Sequence, residues 1–337
     1  MIAKGVQHEN TMKILMGCMF SLVALSSWAV ERGINYDPAH SQTYTNAQMK
    51  NDLQTMKNEI LKDVKTAKNI DPTITVIKTF YSSISTVDGQ KSVNMADLIC
   101  DQGMKLMVGV YEFDPSKDNC GSWCDVARKK QVKDAIDSVN RHNVNGKKCI
   151  VAVVVGNEDI YNWNFTEPNT VMQKNISADI AEIKSKIGDK AIVGTAQQDG
   201  ALLKLAKNDP EGIIGKLDFI GANIYPYWSS QFPNTSAAKS EFSNRYEAIK
   251  NEPQFMGKRI IVTEEGWPSQ YSANQNPNAT MAEETAYYQW WKGRSDDFDS
   301  YYFGLFDKQP LSGDADRYFG LCTYNGQDKI INICDGH

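Results

Sequence analysis

The chain has 337 residues, of which 41% are hydrophobic and 10% aromatic, and its formal net charge is -5 at pH 7. This length and apolar content suffice for one large core, and α/β folds of this size commonly form a single domain. The negative charge provides no attraction toward nucleic acid or an anionic membrane, so neither is expected as a partner.

The first predicted element is a secretory signal peptide at residues 1–29. Two lysines precede the apolar run I-L-M-G-C-M-F-S-L-V-A-L, and Ser27-Trp28-Ala29 supplies small residues at the two positions that cleavage requires. The run is too short to cross a hydrocarbon core of roughly 30 Å, so a membrane anchor is the weaker interpretation. Acylation at Cys18 is a minor alternative. Residues 30–337 are therefore expected to be secreted, extracellular or in the cell wall, or periplasmic in a Gram-negative host.

Eight short runs rich in Val, Ile and aromatic residues follow in chain order. They are G-I-N-Y at 33, T-V-I-K-T-F-Y at 75, K-L-M-V-G-V-Y at 105, C-I-V-A-V-V-V-G at 149, A-I-V-G-T-A at 191, L-D-F-I-G-A-N-I at 217, R-I-I-V-T-E at 259 and Y-Y-F-G-L-F at 301. Between them, apolar residues recur at helical spacing within 43–69, 125–143, 171–187 and 237–250. Alternating strands and helices with continuously apolar strands predict a parallel sheet covered on both faces.

We therefore predict a (β/α)8 TIM barrel that forms one catalytic domain over residues 30–337. An open doubly wound sheet is the alternative, but no Gly-rich phosphate loop follows the first strand.

Removal of the signal peptide leaves an even number of cysteines, which favours disulfides in a chain that leaves the cytosol. They are Cys100, Cys120, Cys124, Cys149, Cys322 and Cys334. A zinc site at C-G-S-W-C is the competing interpretation, but the histidines are scattered and no second close cysteine pair exists. We expect up to three disulfides of open connectivity and no metal.

Carboxylates and aromatic side chains follow the predicted strands, where the active sites of such barrels lie. The segments are Asn35-Tyr36-Asp37, Phe80-Tyr81-Ser82-Ser83, Tyr111-Glu112, Asn157-Glu158-Asp159, N-I-Y-P-Y-W at 223–228, Glu264-Glu265-Gly266-Trp267 and Phe306-Asp307. A single strand-end acid often caps a helix or pairs with a lysine. Two facing carboxylates beneath aromatic rings instead suit the cleavage of a glycosidic bond, because one protonates the leaving oxygen and the other attacks or stabilises the cationic sugar carbon.

The fourth and seventh strand ends, V-V-V-G-N-E-D and I-I-V-T-E-E-G-W-P-S, resemble the acid/base and nucleophile motifs of glycoside hydrolase family 17, a group of barrels active on β-1,3-glucan. The resemblance covers nearly the whole mature chain. It implies a retaining mechanism with Glu264 as nucleophile, Glu158 as acid/base with a raised pKa, and Asn157 on the 2-hydroxyl of the sugar being cleaved.

The resemblance also implies that Tyr225 holds the nucleophile or lines the subsite beside it. The full set of expected substrate-binding residues is Asn157, Tyr36, Tyr81, Tyr225, Tyr227, Trp228, Trp267, Phe306 and Asp307. Glu265 stands where the family usually has a small residue, so we expect it to face away from the cleft, toward a basic or hydrogen-bonding partner. Gly304 departs from an acidic residue common in fungal members.

The resulting prediction is a secreted retaining enzyme that cleaves, or transfers, β-1,3-glucan chains without a metal or organic cofactor. Its expected partner is a β-glucan oligo- or polysaccharide, and a monomer is expected although the oligomeric state is open. Two alternatives remain, which are a relative that acts on another β-glycan linkage and a noncatalytic carbohydrate-binding barrel. Hydrolysis and transfer are equally compatible with the sequence.

Overall fold

The computed structural model describes residues 30–162, 164–309 and 313–334, so the predicted signal peptide lies outside the described residues. Within these described ranges there are ten strands, which are β1 (Arg32–Tyr36), β2 (Ile74–Thr79), β3 (Ser83–Ser85), β4 (Ser92–Asn94), β5 (Lys105–Val110), β6 (Ile150–Asn157), β7 (Ile192–Gln198), β8 (Phe219–Asn223), β9 (Arg259–Glu265) and β10 (Asp299–Tyr302). Eight of them, all except β3 and β4, close into a parallel barrel. This confirms the predicted (β/α)8 barrel and all eight predicted strands.

Helices cover the outside of the barrel. They are α1 (Gln42–Met49), α2 (Leu53–Ile70), α3 (Met95–Cys100), α4 (Cys124–His142), α5 (Thr170–Ile187), α6 (Asp199–Lys207), α7 (Ile213–Lys216), α8 (Thr235–Lys250) and α9 (Met281–Gly293). The segment expected to be helical over 43–69 is interrupted between α1 and α2. Asn51 has a left-handed φ of 56°, and Asp52 caps α2 by accepting a hydrogen bond from the Thr55 N–H. Both residue types favour such a break.

The core has two layers, one between the strands and the helices and one inside the barrel. The inner layer is built from Val76, Met107, Ala152, Val154, Ala196, Phe219, Ile261 and Tyr301. Gly33 is required on β1, because a Cβ there would lie 2.2 Å from the ring of Tyr301. Filling the barrel with side chains leaves the C-terminal ends of the strands as the place where a ligand can be bound.

In the part of the chain that the structure describes, three disulfides join Cys100 to Cys149, Cys120 to Cys124 and Cys322 to Cys334. The expectation of disulfides is confirmed, and the C-G-S-W-C segment forms one of them. Within the described part of the chain, no helix combines the length and apolar character needed to cross a membrane.

Candidate active site

Glu158 and Glu264 lie at the same end of the barrel, where β6 and β9 terminate. A residue of β8, which lies next to β9 in the barrel, links the two side chains. Asn223 on β8 is in register with Glu264 on β9, and its Nδ2 donates a hydrogen bond of 3.1 Å to Glu158 Oε1. The structure therefore brings together the two acids that the sequence motifs identify, although they are far apart in the chain.

Glu264 is buried and accepts a hydrogen bond at each carboxylate oxygen. Lys78 Nζ donates to Oε1 at 2.9 Å, and the Tyr225 hydroxyl donates to Oε2 at 2.8 Å. Because one donor is cationic, the negative charge of the carboxylate is compensated where it is buried. The two bonds also fix the orientation of the carboxyl plane, as a nucleophile requires.

Lys78 is a site residue that sequence reasoning missed. It lies on β2 with only 1% of its surface exposed, and its Nζ also donates to Asn35 Oδ1 at 2.8 Å. Burial lowers the pKa of Lys78, and the charge of Glu264 opposes that shift. A lone lysine in the otherwise apolar run T-V-I-K-T-F-Y was the available signal, since lysine is almost never fully buried unless it is paired.

Asn223 is the second functional residue that was missed. Thr263 Oγ1 donates to Asn223 Oδ1 at 2.7 Å, which orients the amide so that its Nδ2 faces Glu158. The sequence places Asn223 at a strand end, but its role depends on a contact with a residue 65 positions away.

Glu158 is held in a tight turn directly after β6. Its φ is +53°, a left-handed conformation that is uncommon outside glycine and often found at functional sites. Gly156 has a φ of +74°, and a Cβ there would lie 2.7 Å from the carboxylate of Asp159. The Asp159 carboxylate accepts bonds from the Asn157 N–H and from Gln197 Nε2. The V-G-N-E-D motif therefore encodes a turn that presents Glu158.

The surroundings of Glu158 favour its protonated form. Burial among protein atoms, followed by the charge of Glu264, raises the pKa of Glu158 to about 7, whereas the Asn223 hydrogen bond and Lys78 act in the opposite direction. The side chain is still partly exposed to solvent, so a substrate can reach it. At neutral and acidic pH this carboxyl can donate a proton to a leaving group.

Glu265 faces the opposite side of β9, as predicted. Arg294 donates to both of its carboxylate oxygens at 3.0 and 2.6 Å, and Ser300 and Tyr287 also donate to it. The expectation of a basic partner away from the cleft is confirmed. Because adjacent side chains of a strand point to opposite faces, the Glu265–Arg294 ion pair lies outside the barrel opening while the Glu264 carboxylate lies within it.

Four of the expected substrate-binding residues keep surface at the open end of the barrel. Asn157, Tyr81 and Tyr225 are partly exposed, and Trp228 is 47% exposed. The Trp228 ring packs against Tyr227 at a centroid distance of 4.7 Å and against Phe319 at 6.2 Å. Phe319, which the sequence did not single out, packs against both Tyr227 and Trp228.

The other five expected residues are buried, and their contacts are internal. The Tyr36 hydroxyl donates to Asp63, the Tyr227 hydroxyl to the carbonyl of Asn276, and Trp267 Nε1 to the carbonyl of Asn278. Phe306 stacks on His40 at 3.9 Å, and Asp307 accepts from Lys329 at 2.8 Å. Burial places these five behind the cleft surface, where they support the lining residues instead of offering surface to a ligand.

Comparisons with known proteins agree with the geometry. The family model of the BtgE/BtgC glycoside hydrolase domain matches residues 33–320. Among curated proteins, the chain is 23% identical over 278 residues to the probable glucan endo-1,3-β-glucosidase eglC of Aspergillus oryzae, covering 80% of this chain and 55% of that protein. It is 27% identical over 197 residues to the glucan 1,3-β-glucosidase of Schizosaccharomyces pombe, covering 56% of this chain and 59% of that protein. The chain thus spans about half the length of these curated relatives.

Solved structures share the fold. An endo-laminarinase from Formosa superposes with a TM-score of 0.67 at 13% identity, covering 88% of this chain and 84% of that one. An active-site mutant of the Rhizomucor miehei β-1,3-glucanosyltransferase superposes with a TM-score of 0.59 at 18% identity, covering 90% of this chain and 97% of that one. Because the family model spans most of the sequence, the chain belongs to the BtgE/BtgC glycoside hydrolase domain family, in agreement with the family 17 resemblance of its motifs.

Proposed function

We propose that the chain is a retaining glycoside hydrolase that acts on β-1,3-glucan, with Glu264 as nucleophile and Glu158 as acid/base. The substrate class is supported by the relatives, whose names specify 1,3-β-glucosidase activity. The observation that carries the assignment of roles is the contrast between the two carboxyl groups. Glu264 is paired with a buried lysine, whereas the pKa of Glu158 is raised to about 7. A carboxyl group with a raised pKa can act as a proton donor, and a carboxylate oriented by two hydrogen-bond donors can act as a nucleophile.

The first step forms a covalent intermediate. Glu158 gives its proton to the glycosidic oxygen as a Glu264 oxygen attacks the sugar carbon, so the leaving sugar departs with a hydroxyl group. Lys78 and Tyr225 hold Glu264 in place and compensate its charge before attack. They are positioning residues, because they act through Glu264.

The second step reverses the role of Glu158. Once Glu264 is esterified its negative charge is gone, which removes one of the causes that raise the pKa of Glu158. The pKa of Glu158 is then lower, so the side chain is ionised and can accept a proton from water or from the hydroxyl of a second sugar. Attack by water completes hydrolysis, and attack by a sugar transfers the glycosyl group.

The lining residues have distinct roles in this proposal. Asn157 lies directly before Glu158 and contacts the 2-hydroxyl of the reacting sugar. Trp228 and Tyr81 offer ring faces to the apolar faces of sugar rings. No metal or organic cofactor takes part in either step.

The proposal includes export from the cytosol. Three disulfides within the described residues are compatible with an oxidising compartment, such as the cell exterior or the cell wall. The signal peptide at residues 1–29 would direct this export.

Mass spectrometry of the products formed over time from a linear β-1,3-gluco-oligosaccharide tests the proposal. Products shorter than the substrate are expected from hydrolysis, and longer products in addition if a sugar intercepts the intermediate. Glu264→Gln is expected to lower kcat by at least about a thousandfold. Lys78→Met is expected to lower kcat far more than it changes KM, since Lys78 contacts the nucleophile.

The matched control is Glu247→Gln, on the exposed side of α8, which is expected to behave as wild type. Proton NMR of the first product gives its configuration, and retention is expected. If the oligosaccharide remains unchanged, the proposed substrate is wrong. If Glu264→Gln is fully active, the assignment of Glu264 as nucleophile is wrong.

A further inference from the structure

Four aromatic rings form a continuous row that leads away from the candidate active site, and we refer to Tyr81, Tyr111, Phe113 and Trp123 as the aromatic row. Tyr81 and Tyr111 lie 4.9 Å apart between ring centroids, Tyr111 and Phe113 4.9 Å, and Phe113 and Trp123 5.6 Å. Each of the four residues is at least partly exposed. The row starts at the C-terminal end of β2 and ends just before α4.

The inner end of the row borders the site. Tyr111 lines the same small cavity as Lys78, which holds Glu264, and Asn157, which precedes Glu158. The loop between β5 and α4, which carries the other three rings of the row, also contacts the acid/base directly, since Lys117 Nζ lies 3.4 Å from the backbone carbonyl of Glu158. A polymer bound across the two carboxylates therefore meets this loop when it extends on that side.

The outer end of the row is exposed and held in place. Trp123 is 54% exposed, and it lies in the five-residue C-G-S-W-C loop that the Cys120–Cys124 disulfide closes. Both cysteines are buried. A short covalent loop limits the conformations open to Trp123, so less entropy is lost when a ligand orders the ring.

The rest of the loop is also held in a defined shape. The Tyr111 hydroxyl donates to Asp118 Oδ1 at 2.7 Å, and Phe113 and Asn119 have left-handed φ angles of 51° and 48°. Backbone conformations of this kind persist only where the surrounding structure holds them. The row is therefore formed before any ligand binds.

We propose that Trp123 forms a distal sugar-binding subsite for the same β-glucan chain that the site cleaves, an inference that rests on the proposed function. A ring face of this size matches the apolar face of a pyranose, and the successive rings provide contacts along an uncharged chain. Only substrates long enough to extend from Glu264 to Trp123 use this subsite. The subsite therefore gives the enzyme a preference for long chains and does not change the bond-cleaving step at Glu264 and Glu158.

Steady-state kinetics on β-1,3-gluco-oligosaccharides, from the disaccharide to the octasaccharide, test the subsite. For Trp123→Ala, kcat/KM is expected to fall about tenfold on the longest substrates, as loss of one apolar contact implies, and to stay unchanged on the shortest that is cleaved. Trp123→Tyr should retain most of the preference. The Cys120→Ser/Cys124→Ser double variant should fall between Trp123→Ala and wild type.

The matched control is Val126→Ala, an exposed apolar residue three positions further along, which is expected to leave all substrates unaffected. A decrease for Trp123→Ala that is equal at every chain length, or no decrease at all, would overturn the proposal.

A binding experiment separates this inference from the proposed function. Calorimetric titration of the octasaccharide, the longest substrate of the series, into the Glu264→Gln chain, with and without Trp123→Ala, requires no turnover. An approximately tenfold weaker Kd with Trp123→Ala supports the subsite even if the chain cleaves no glucan. Equal Kd values overturn the subsite even if cleavage by the wild-type chain is confirmed.

Discussion

Three glutamates near the barrel opening have different surroundings although their side chains are chemically identical. Glu264 is neutralised by Lys78, Glu265 is neutralised by Arg294, and the Glu158 carboxyl group has no cationic partner at hydrogen-bond distance among the described residues. Because a buried charge without a partner is costly, Glu158 responds by holding its proton. These different surroundings fit the proposed roles of Glu264 as nucleophile, Glu265 as a structural anchor and Glu158 as an acid.

The raised pKa of Glu158 predicts a specific dependence of stability on pH. Folding raises this pKa from 4.5 to about 7, so the folded state keeps a proton that the unfolded state loses. The contribution of this bound proton to the free energy of unfolding is fully present below pH 4.5 and is lost as the pH rises to about 7. Its upper bound is about 3 kcal/mol, because solvent reaches the partly exposed carboxyl group and weakens the effect. Activity that needs the proton should decrease over the upper part of the same range.

Glu158→Gln removes this titration, and its effect is measured by urea unfolding at about pH 5 and about pH 8. The loss of unfolding free energy between the two conditions should be smaller for the variant than for wild type. The comparison between variants is needed because other buried carboxyls, such as Glu284 and Asp159, also have raised pKa values. An identical loss in both proteins would show that Glu158 titrates normally.

At the scale of the elements, successive side chains of β9 point to opposite faces of the sheet, so Glu264 and Glu265 lie in different environments. Glu264 points into the barrel opening, and Glu265 points outward to the segment that follows α9. The Arg294 guanidinium also lies over the rings of Phe242 and Trp290, at 4.4 and 4.5 Å from their centroids. This ion pair therefore ties α8, α9 and β9 together.

Arg294→Met is expected to lower the free energy of unfolding by about 3 to 5 kcal/mol, because it leaves Glu265 buried without its cation. Urea unfolding measures the loss. Arg141→Met, at the half-exposed pair with Asp97, is the matched control and should cost less than about 1 kcal/mol.

Adding Glu265→Gln to Arg294→Met should restore part of the stability, since the unpaired charge is then absent. If Arg294→Met cost no more than the surface control, the Glu265 pair would not support the barrel.

At the scale of the whole molecule, the disulfides restrict the unfolded chain to different extents. Cys100 and Cys149 are 49 residues apart and join α3 to the segment that leads into β6, whereas Cys120 and Cys124 are only 4 apart. Longer closed loops remove more entropy from the unfolded state. The short loop is accordingly better suited to holding one side chain than to stabilising the fold.

Cys100→Ala/Cys149→Ala is expected to cost about 4 kcal/mol of unfolding free energy, and Cys120→Ser/Cys124→Ser about 2 kcal/mol. Denaturant unfolding of the two double variants under non-reducing conditions checks this order. A greater loss from the short loop would mean that it has a structural role beyond holding Trp123.

The sequence alone determined the barrel, its strands and the two catalytic candidates. Alternation of apolar runs and amphipathic segments is a local property, and the motifs around Glu158 and Glu264 each lie within a few consecutive residues. The tertiary structure alone decided which side chains complete the site and which are buried. Lys78 reaches Glu264 across 186 positions, and burial of Trp267 and Asp307 depends on packing from distant segments. Such contacts and the disulfide pairing depend on how the closed sheet brings distant strands and loops together, which no local pattern encodes.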